Sequence, residues 1–87
     1  MNTTELTKML ITPAKNRFVT YKSITCSQVF SGEIVLTVTC ADEDTDTCDE
    51  NVRMFGKDIE VITELHVLSM IVTYPKENTS NVTYCLK

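Results

Sequence analysis

Four cysteines in a chain of 87 residues are the feature that most constrains the fold. A chain of this length buries only roughly 60% of the surface that its unfolded form exposes, so its apolar core alone is marginal. An even number of cysteines in a short chain is typical of a disulfide-stabilised fold, and four cysteines allow three pairings. Zinc ligands usually come in close pairs, whereas the nearest two cysteines, Cys40 and Cys48, are separated by seven residues. We therefore predict disulfide bonds and no metal site.

The composition predicts one globular domain over residues 1–87. Apolar residues make up 43% of the chain and charged residues 23%, which is typical of a folded protein. No apolar run approaches the roughly 20 residues that a membrane-spanning helix needs, so we expect no membrane insertion. The net charge of −4 argues against nucleic acid or an anionic membrane as a ligand, because phosphate binding needs clustered Lys and Arg.

Three N-x-[ST] sequons indicate a glycosylated, secreted chain. They begin at Asn2, Asn78 and Asn81, which are the predicted glycosylation sites. Together with the even number of cysteines, they favour an oxidising, extracellular route. No charged and apolar signal peptide is present, so we interpret the sequence as a mature form.

Local patterns predict a short N-terminal helix and several strands. The segment "NTTELTKMLITP" has the features of a two-turn helix that Asn2 caps and Pro13 ends. Residues 33–40 alternate strictly between two faces and predict the clearest strand, and residues 17–25 and 81–87 predict two more. Gly32 suits the turn that precedes the clearest strand.

Residues 52–73 fit two patterns. One is a short strand at 52–55, a turn at Gly56-Lys57 and a long strand from Asp58 that must bend or break. The other is a helix, because residues 61, 65, 68 and 72 also share a helix face. The many β-branched residues favour strands. One helix and five or six strands close most simply as a small antiparallel barrel or sandwich.

This arrangement offers natural partners for the cysteines. Cys40 ends a strand and Cys48 lies in the loop that follows, so a bond between them would close a ring of nine residues. The chain-entropy model gives that ring about 2.6 kcal/mol, and it gives a loop of 60 residues between Cys26 and Cys85 about 4 kcal/mol. The two bonds together would offset the small core.

The acidic stretch "TCADEDTDTCDEN" at residues 39–51 is the most unusual segment. Its D-x-D-x-D start resembles a calcium-binding EF-hand loop, but Thr47 stands where that loop needs Gly and Arg53 where it needs Glu. A solvated loop, an irregular calcium site and a surface for a basic partner are the remaining interpretations. The candidate binding residues are Asp42, Asp44 and Asp46.

Three segments carry a resemblance to a known family. "ITCSQVFSGEIVLTV" (24–38), "VRMFGKDIEVI" (52–62) and "NVTYCLK" (81–87) resemble strands of the netrin-like domain found in tissue inhibitors of metalloproteinases. The resemblance implies an OB-type closed β-barrel with a helix packed against it. In that family the two corresponding cysteines pair, which agrees with a bond between Cys26 and Cys85. Small netrin-like chains secreted by parasitic nematodes are a further set that this chain resembles.

The chain also departs from that family. Those inhibitors begin with a cysteine that chelates the zinc of the protease, whereas this chain begins "MNTTEL" and has no cysteine before Cys26. The segment "QVFSG" at 28–32 is similar to the Q-x-V-x-G loop of cystatins, with Phe30 at the Val position, but Pro13 breaks the long helix that should precede it. Without that N-terminal cysteine, we expect the chain to lack the zinc-chelating group of the tissue inhibitors of metalloproteinases.

The expected function is binding rather than catalysis. His66 is the single imidazole and no catalytic motif is present, so we predict no enzyme activity, no catalytic residue and no cofactor. We expect a secreted, monomeric protein-binding module that contacts an extracellular protein, such as a host immune protein. The alternative is a protease inhibitor of the metalloprotease or cystatin type that acts through an exposed loop.

Overall fold

The chain folds into an open four-stranded antiparallel sheet with two helices packed on one face. A computed structural model of the protein describes residues 2–29, 31–41 and 45–87, with residues 45–47 described by their backbone only. The strands lie in the order β1-β2-β4-β3 and every neighbouring pair is antiparallel. The elements are α1 (Thr3–Arg17), β1 (Tyr21–Gln28), β2 (Ile34–Ala41), α2 (Thr45–Thr63), β3 (Val67–Lys76) and β4 (Thr79–Leu86).

The prediction of a mainly β, closed OB-type barrel is wrong, because this is an α+β fold whose sheet does not close. Among the described strands, β1 and β3 each pair on one side only. An OB-type barrel uses about five strands, and here residues 52–63, which were expected to supply part of them, are helical. The fold that the netrin-like resemblance implied is therefore not the fold of this chain.

Helix α2 replaces the predicted strand at 52–55, the turn at Gly56 and the start of the long strand. Its large buried apolar residues, Cys48, Val52, Phe55 and Ile59, are spaced by four, three and four positions, which is the period of a helix face. Glu64 ends the helix in the left-handed conformation with φ 62°, and its amide donates to the carbonyl of Glu60 at 2.9 Å. Burial along one helix face thus outweighs the strand preference of the β-branched residues.

Helix α1 begins as predicted and ends later than predicted. The Oδ1 atom of Asn2 accepts a hydrogen bond from the amide of Glu5 at 2.8 Å, which confirms the predicted cap. Pro13 does not end the helix, which continues to Arg17. Proline removes one hydrogen bond from a helix, but Leu10 and Ala14 on either side of it are fully buried. Packing against the rest of the fold therefore carries the helix past the proline.

The core lies between the helices and one face of the sheet. The alternation predicted for the second and last strands is confirmed, with Leu36, Val38, Val82 and Tyr84 all fully buried. Two edge-to-face ring contacts, each with centroids 5.5 Å apart, join the elements: Phe18 to Phe55, and Phe55 to Tyr84.

The helices are also joined by an ion pair. The guanidinium of Arg17 donates two hydrogen bonds to the carboxylate of Asp58, at 2.6 and 3.0 Å, and this contact raises the pKa of Arg17. The end of α1 is thereby fixed to the middle of α2.

Candidate functional site

No disulfide bond joins the cysteines, all four of which lie in the described part of the chain and are thiols. The predicted bond between Cys26 and Cys85 is wrong for a geometric reason. Cys26 lies opposite Leu36 on the helix-covered face, whereas Cys85 lies opposite Val35 on the other face. Strand β2 also separates them, so their Cα atoms are about 10 Å apart, beyond the roughly 7 Å that a disulfide can span.

The predicted bond between Cys40 and Cys48 is also absent. Both residues are buried on the helix-covered side, where they form part of the core. In such a position cysteine behaves as a small apolar residue. Apolar packing therefore takes the place of the two predicted bonds in holding this small fold together.

The outer face, which is the sheet face opposite the helices, is polar and uncovered in the described structure. Across the four strands the register aligns three rows of mostly hydroxyl residues: Ser23-Thr39-Asn81-Thr73, Thr25-Thr37-Thr83-Ile71 and Ser27-Val35-Cys85-Ser69. Hydroxyls bond across the central strands, where Thr39 donates to the Oδ1 atom of Asn81 at 2.9 Å. No Lys or Arg occupies these rows, so the outer face lacks the charge that a phosphate backbone requires.

At one end of the outer face the Cys85 thiol donates a hydrogen bond to the Glu33 carboxylate at 3.2 Å. The hydrogen bond to Glu33 is the main cause that raises the pKa of Cys85, and partial burial of the thiol and the negative charge of Glu33 raise it further. Burial alone raises the pKa of Cys26. Both thiols therefore carry less thiolate at neutral pH than an ordinary cysteine and are poor nucleophiles.

The three sequons occupy different environments. Asn2 caps α1 through its side chain. Asn78 is exposed in the turn between β3 and β4 and has a left-handed backbone with φ 61°. Asn81 is half-buried in β4, and its side chain accepts the bond from Thr39. Of the three, only Asn78 is exposed on a turn.

The acidic stretch continues into α2. Asp42 and Asp44 lie outside the described residues, and Asp46 belongs to α2 with its side chain undescribed. Further along the helix, Asp49 and Glu50 are exposed and line a groove. The predicted loop at 41–51 is thus partly the first turns of a helix.

This groove runs between α2 and β3 and has two lobes that share Arg53 and Met70. The larger lobe has a volume of about 560 Å³ and the smaller about 270 Å³. Glu60 and Val67 form one end of the groove, where the Glu60 carboxylate accepts a hydrogen bond from the amide of Val67 at 3.0 Å. The larger lobe is lined by Asp49, Glu50, Val52, Arg53, Met70 and Val72, and the smaller by Arg53, Gly56, Lys57, Glu60, Val67 and Met70.

Glycine at position 56 shapes the floor of the groove. A Cβ atom there would lie 2.9 Å from the Sδ atom of Met70 and 3.6 Å from a ring carbon of Tyr84. Because glycine has no Cβ, the Met70 side chain can lie directly against the helix backbone. Met70 nevertheless remains 43% exposed, so this contact leaves an apolar surface open to a ligand.

The groove was not predicted from the sequence, because its helical wall was assigned to strands. A signal was present in the spacing of Cys48, Val52, Phe55 and Ile59, which is that of a buried helix face. With α2 assigned, the alternation of charges at 49, 50, 53, 57 and 60 would have indicated its solvent side.

Exposed apolar residues are concentrated on β3. Leu68, Met70, Ile71 and Tyr74 are between 43% and 62% exposed, although they lie in one strand of ten residues. The opposite edge strand, β1, instead exposes Lys22 and a series of small polar residues. The two edges of the sheet therefore have different chemistry.

Neither helix in the described part of the chain is long and apolar enough to cross a membrane. Comparison with known proteins adds no family: no family model, no curated protein and no solved structure matches the chain. The candidate function therefore rests on the geometry of the groove and of strand β3.

Proposed function

We propose that this chain is a protein-binding module that holds an amphipathic segment of its partner in the groove between α2 and β3. The observation that carries the proposal is the apolar floor that Met70 provides in both lobes, between a charged helix and an exposed edge strand. Binding of amphipathic segments in such grooves is a recurring mode of peptide recognition, in which apolar anchors enter the groove and polar residues contact its rim.

The floor of the groove supports adaptable apolar contacts. Met70 lines both lobes, with Val52 and Val72 beside it in the larger one. Methionine is unbranched and polarisable, so it can repack around side chains of different shapes. Residues of this kind are common on surfaces that accept an apolar partner side chain.

Acidic and basic residues follow one another along the rim of the groove, so the charge of the rim changes along its length. Asp49 and Glu50 lie at one end, Arg53 and Lys57 follow along α2, and Glu60 lies at the other end. A bound segment would therefore place a basic residue near the first pair and an acidic residue near the second. Because the rim is exposed to solvent, these contacts would set orientation and salt dependence more than affinity.

Secretion remains a prediction, and one of its two grounds is removed. Disulfide bonds are a property of oxidising compartments, and the four cysteines of this chain are thiols. The sequons are the remaining ground. The proposal of a binding module does not depend on the compartment.

Photo-crosslinking tests the proposal directly. A photoreactive phenylalanine analogue at Val72, in the groove, should capture a partner from serum and from cell extract. The same analogue at Thr25, which is exposed on the opposite edge strand, is the matched control. Reversing the rim charges with Arg53→Glu and Lys57→Glu should weaken capture at position 72 and change its salt dependence. Equal capture at both positions, or capture whose yield and salt dependence the charge reversal leaves unchanged, would refute the groove as the binding site.

The acidic stretch has its own test. Replacing Asp42, Asp44 and Asp46 together by Asn should leave stability within about 0.5 kcal/mol, as is usual for surface substitutions. If the stretch extends the acidic end of the groove, the triple variant should bind the captured partner more weakly and with a smaller salt dependence. Unchanged binding would show that these carboxylates contact solvent and not the partner.

Titration of the chain against proteases distinguishes the binding module from the alternative, a protease inhibitor. The chain should leave the rates of metalloproteases and cysteine proteases unchanged at micromolar concentrations if it acts only as a binding module. Inhibition of any of these proteases that is lost on Arg53→Glu with Lys57→Glu would instead make the groove an inhibitory site.

A further inference from the structure

We infer that the exposed edge of β3 pairs with β3 of a second copy of this chain, which joins two four-stranded sheets into one sheet of eight strands. This contact uses the backbone edge of the strand, and it meets the groove only at Met70 and Val72. Three features of β3 support a second copy rather than an unrelated strand.

The first feature is the absence of charged side chains from most of this edge. Edge strands of monomers commonly carry charged side chains, especially Lys, that oppose pairing with another strand. From Val67 to Pro75 the strand has no charged residue, and Lys76 stands at its end. Two of its exposed side chains, Ile71 and Tyr74, are 55% and 62% accessible. By contrast, Lys22 lies on the edge strand β1.

The second feature is a palindrome of side-chain classes. The segment "LSMIVTY" at 68–74 reads apolar, hydroxyl, apolar, apolar, apolar, hydroxyl, aromatic around Ile71. When two copies pair antiparallel about a two-fold axis, residues equally distant from the axis face one another. An axis at Ile71 sets Met70 against Val72 and Ser69 against Thr73 of the second copy. Each residue thus faces one of similar chemistry, and no like charges meet.

The third feature is that irregularities define where pairing begins and ends. The register against β4 is continuous only from Ser69 to Thr73, with shifts between Val67 and Ser69 and between Thr73 and Lys76. Such shifts, together with Pro75, interrupt the ladder of hydrogen bonds. The regular part of the strand is therefore five residues centred on Ile71, which favours one register, and the two-fold contact closes the dimer instead of extending into a fibre.

The dimer also places the two grooves on the same side of the joined sheet. Residues that face each other in an antiparallel pair lie on the same sheet face, so both helix layers stand on one side. Met70 of one copy then lies beside Val72 of the second copy, at the margin of both grooves. The two sites together would bind a partner with two amphipathic segments more tightly than either site alone.

Sedimentation velocity as a function of protein concentration tests the inference. The strand contact is small compared with stable interfaces of roughly 800 Å² per partner, so we expect dissociation in the range of about 1–100 µM. Ile71→Lys places two like charges together at the two-fold axis and should leave only monomer. Thr25→Lys is the matched control, since Thr25 lies in the same cross-strand row on the opposite edge and should leave the dimer unchanged.

Charge complementation makes the test specific for self-pairing. Ile71→Lys and Ile71→Glu should each be monomeric alone, and an equimolar mixture should restore the dimer. A wild-type chain that stays monomeric above 500 µM, on the order of five times the upper limit expected for so small a contact, would overturn the inference. A dimer that survives Ile71→Lys would overturn it equally, because another surface would then hold the copies together.

A photoreactive residue at position 71 provides a measurement that does not depend on how the charged variants fold. It should form a covalent dimer cross-linked to residues 69–73 of the second copy, and a cross-link elsewhere would contradict the register. The inference fails separately from the proposed function, because groove capture at position 72 and its weakening on reversal of the α2 charges do not require the dimer.

Discussion

The hydroxyl of Tyr84 provides the sharpest test of how the helix layer is held on the sheet. It is fully buried and donates a hydrogen bond to the carbonyl oxygen of Val52, in α2, at 2.8 Å. In a regular helix that carbonyl also accepts from the amide of Gly56, so Tyr84→Phe leaves it with a partner. The free energy of unfolding should therefore fall by the net value of one hydrogen bond, about 1 kcal/mol. A buried carbonyl left without any hydrogen-bond partner would cost roughly 3 kcal/mol.

The pH dependence of the same variant is worked out from the pKa of Tyr84. Burial is the main cause that raises this pKa, with smaller contributions from nearby acidic groups. A phenol whose pKa is raised by folding contributes stability that is complete below the unfolded-state pKa, roughly 10, and that is lost as the pH rises above it. The loss approaches about 1.4 kcal/mol per pH unit. Wild type should therefore be the more stable protein at pH 8, and Tyr84→Phe the more stable at pH 11.

Urea unfolding followed by circular dichroism at the two pH values measures both effects. At pH 8 the variant should also melt about 4–8 °C lower than wild type, as expected for 1 kcal/mol in a domain of this size. Tyr74→Phe is the matched control, because Tyr74 is 62% exposed, and it should change stability at pH 8 by less than about 0.5 kcal/mol. The buried hydrogen bond would be refuted if Tyr84→Phe were as stable as wild type at pH 8. It would also be refuted if the stability of the variant relative to wild type did not rise between pH 8 and pH 11.

Three further predictions follow from other contacts. Gly56→Ala should stabilise a Met70→Ala background by about 1 kcal/mol in urea unfolding, because alanine favours the helix and the Sδ atom at 2.9 Å is gone; in wild type the gain should be smaller. Glu33→Gln should speed alkylation of Cys85 by iodoacetamide at pH 8, measured by peptide mass spectrometry, because it removes the hydrogen-bonded carboxylate that raises the thiol pKa; an unchanged rate would contradict this cause. If the chain is expressed through a secretory route, peptide mapping should find more glycan at Asn78, which is exposed on a turn, than at the other two sequons, and the reverse order would contradict the placement of these side chains.

Sequence patterns predicted the two central strands well. Residues in β2, and those in β4 from Ser80 onward, alternate strictly between a buried and a half-exposed face, and that period of two has a single structural interpretation. The cap at Asn2 was also correctly assigned, because a capping interaction depends on residues only three positions apart. Features decided by local geometry or by strict periodicity were therefore accessible from the sequence.

The helix α2 and the cysteines were mispredicted for different reasons. Residues 52–63 contain β-branched side chains and also a helical spacing of buried residues, and packing against the sheet decides between the two. The number of cysteines indicates a compartment only statistically. Whether two thiols meet depends on which sheet face each one occupies, and the assignment of α2 had to be correct before that could be determined. The groove could not be predicted for the same reason, since α2 forms one of its walls.

The strand order β1-β2-β4-β3 divides the protein into two halves with the same sequence of elements. Each half, α1-β1-β2 or α2-β3-β4, is a helix followed by a hairpin, and the halves meet along β2 and β4 at the centre of the sheet. Hairpins form from neighbouring residues, whereas the central pairing joins residues such as Val38 and Val82 that are far apart in the chain. Assembly of the two hairpins should therefore be the slow step of folding. A chain cut between Ala41 and Thr45 would yield two fragments, each of which exposes half of a core until it binds the other.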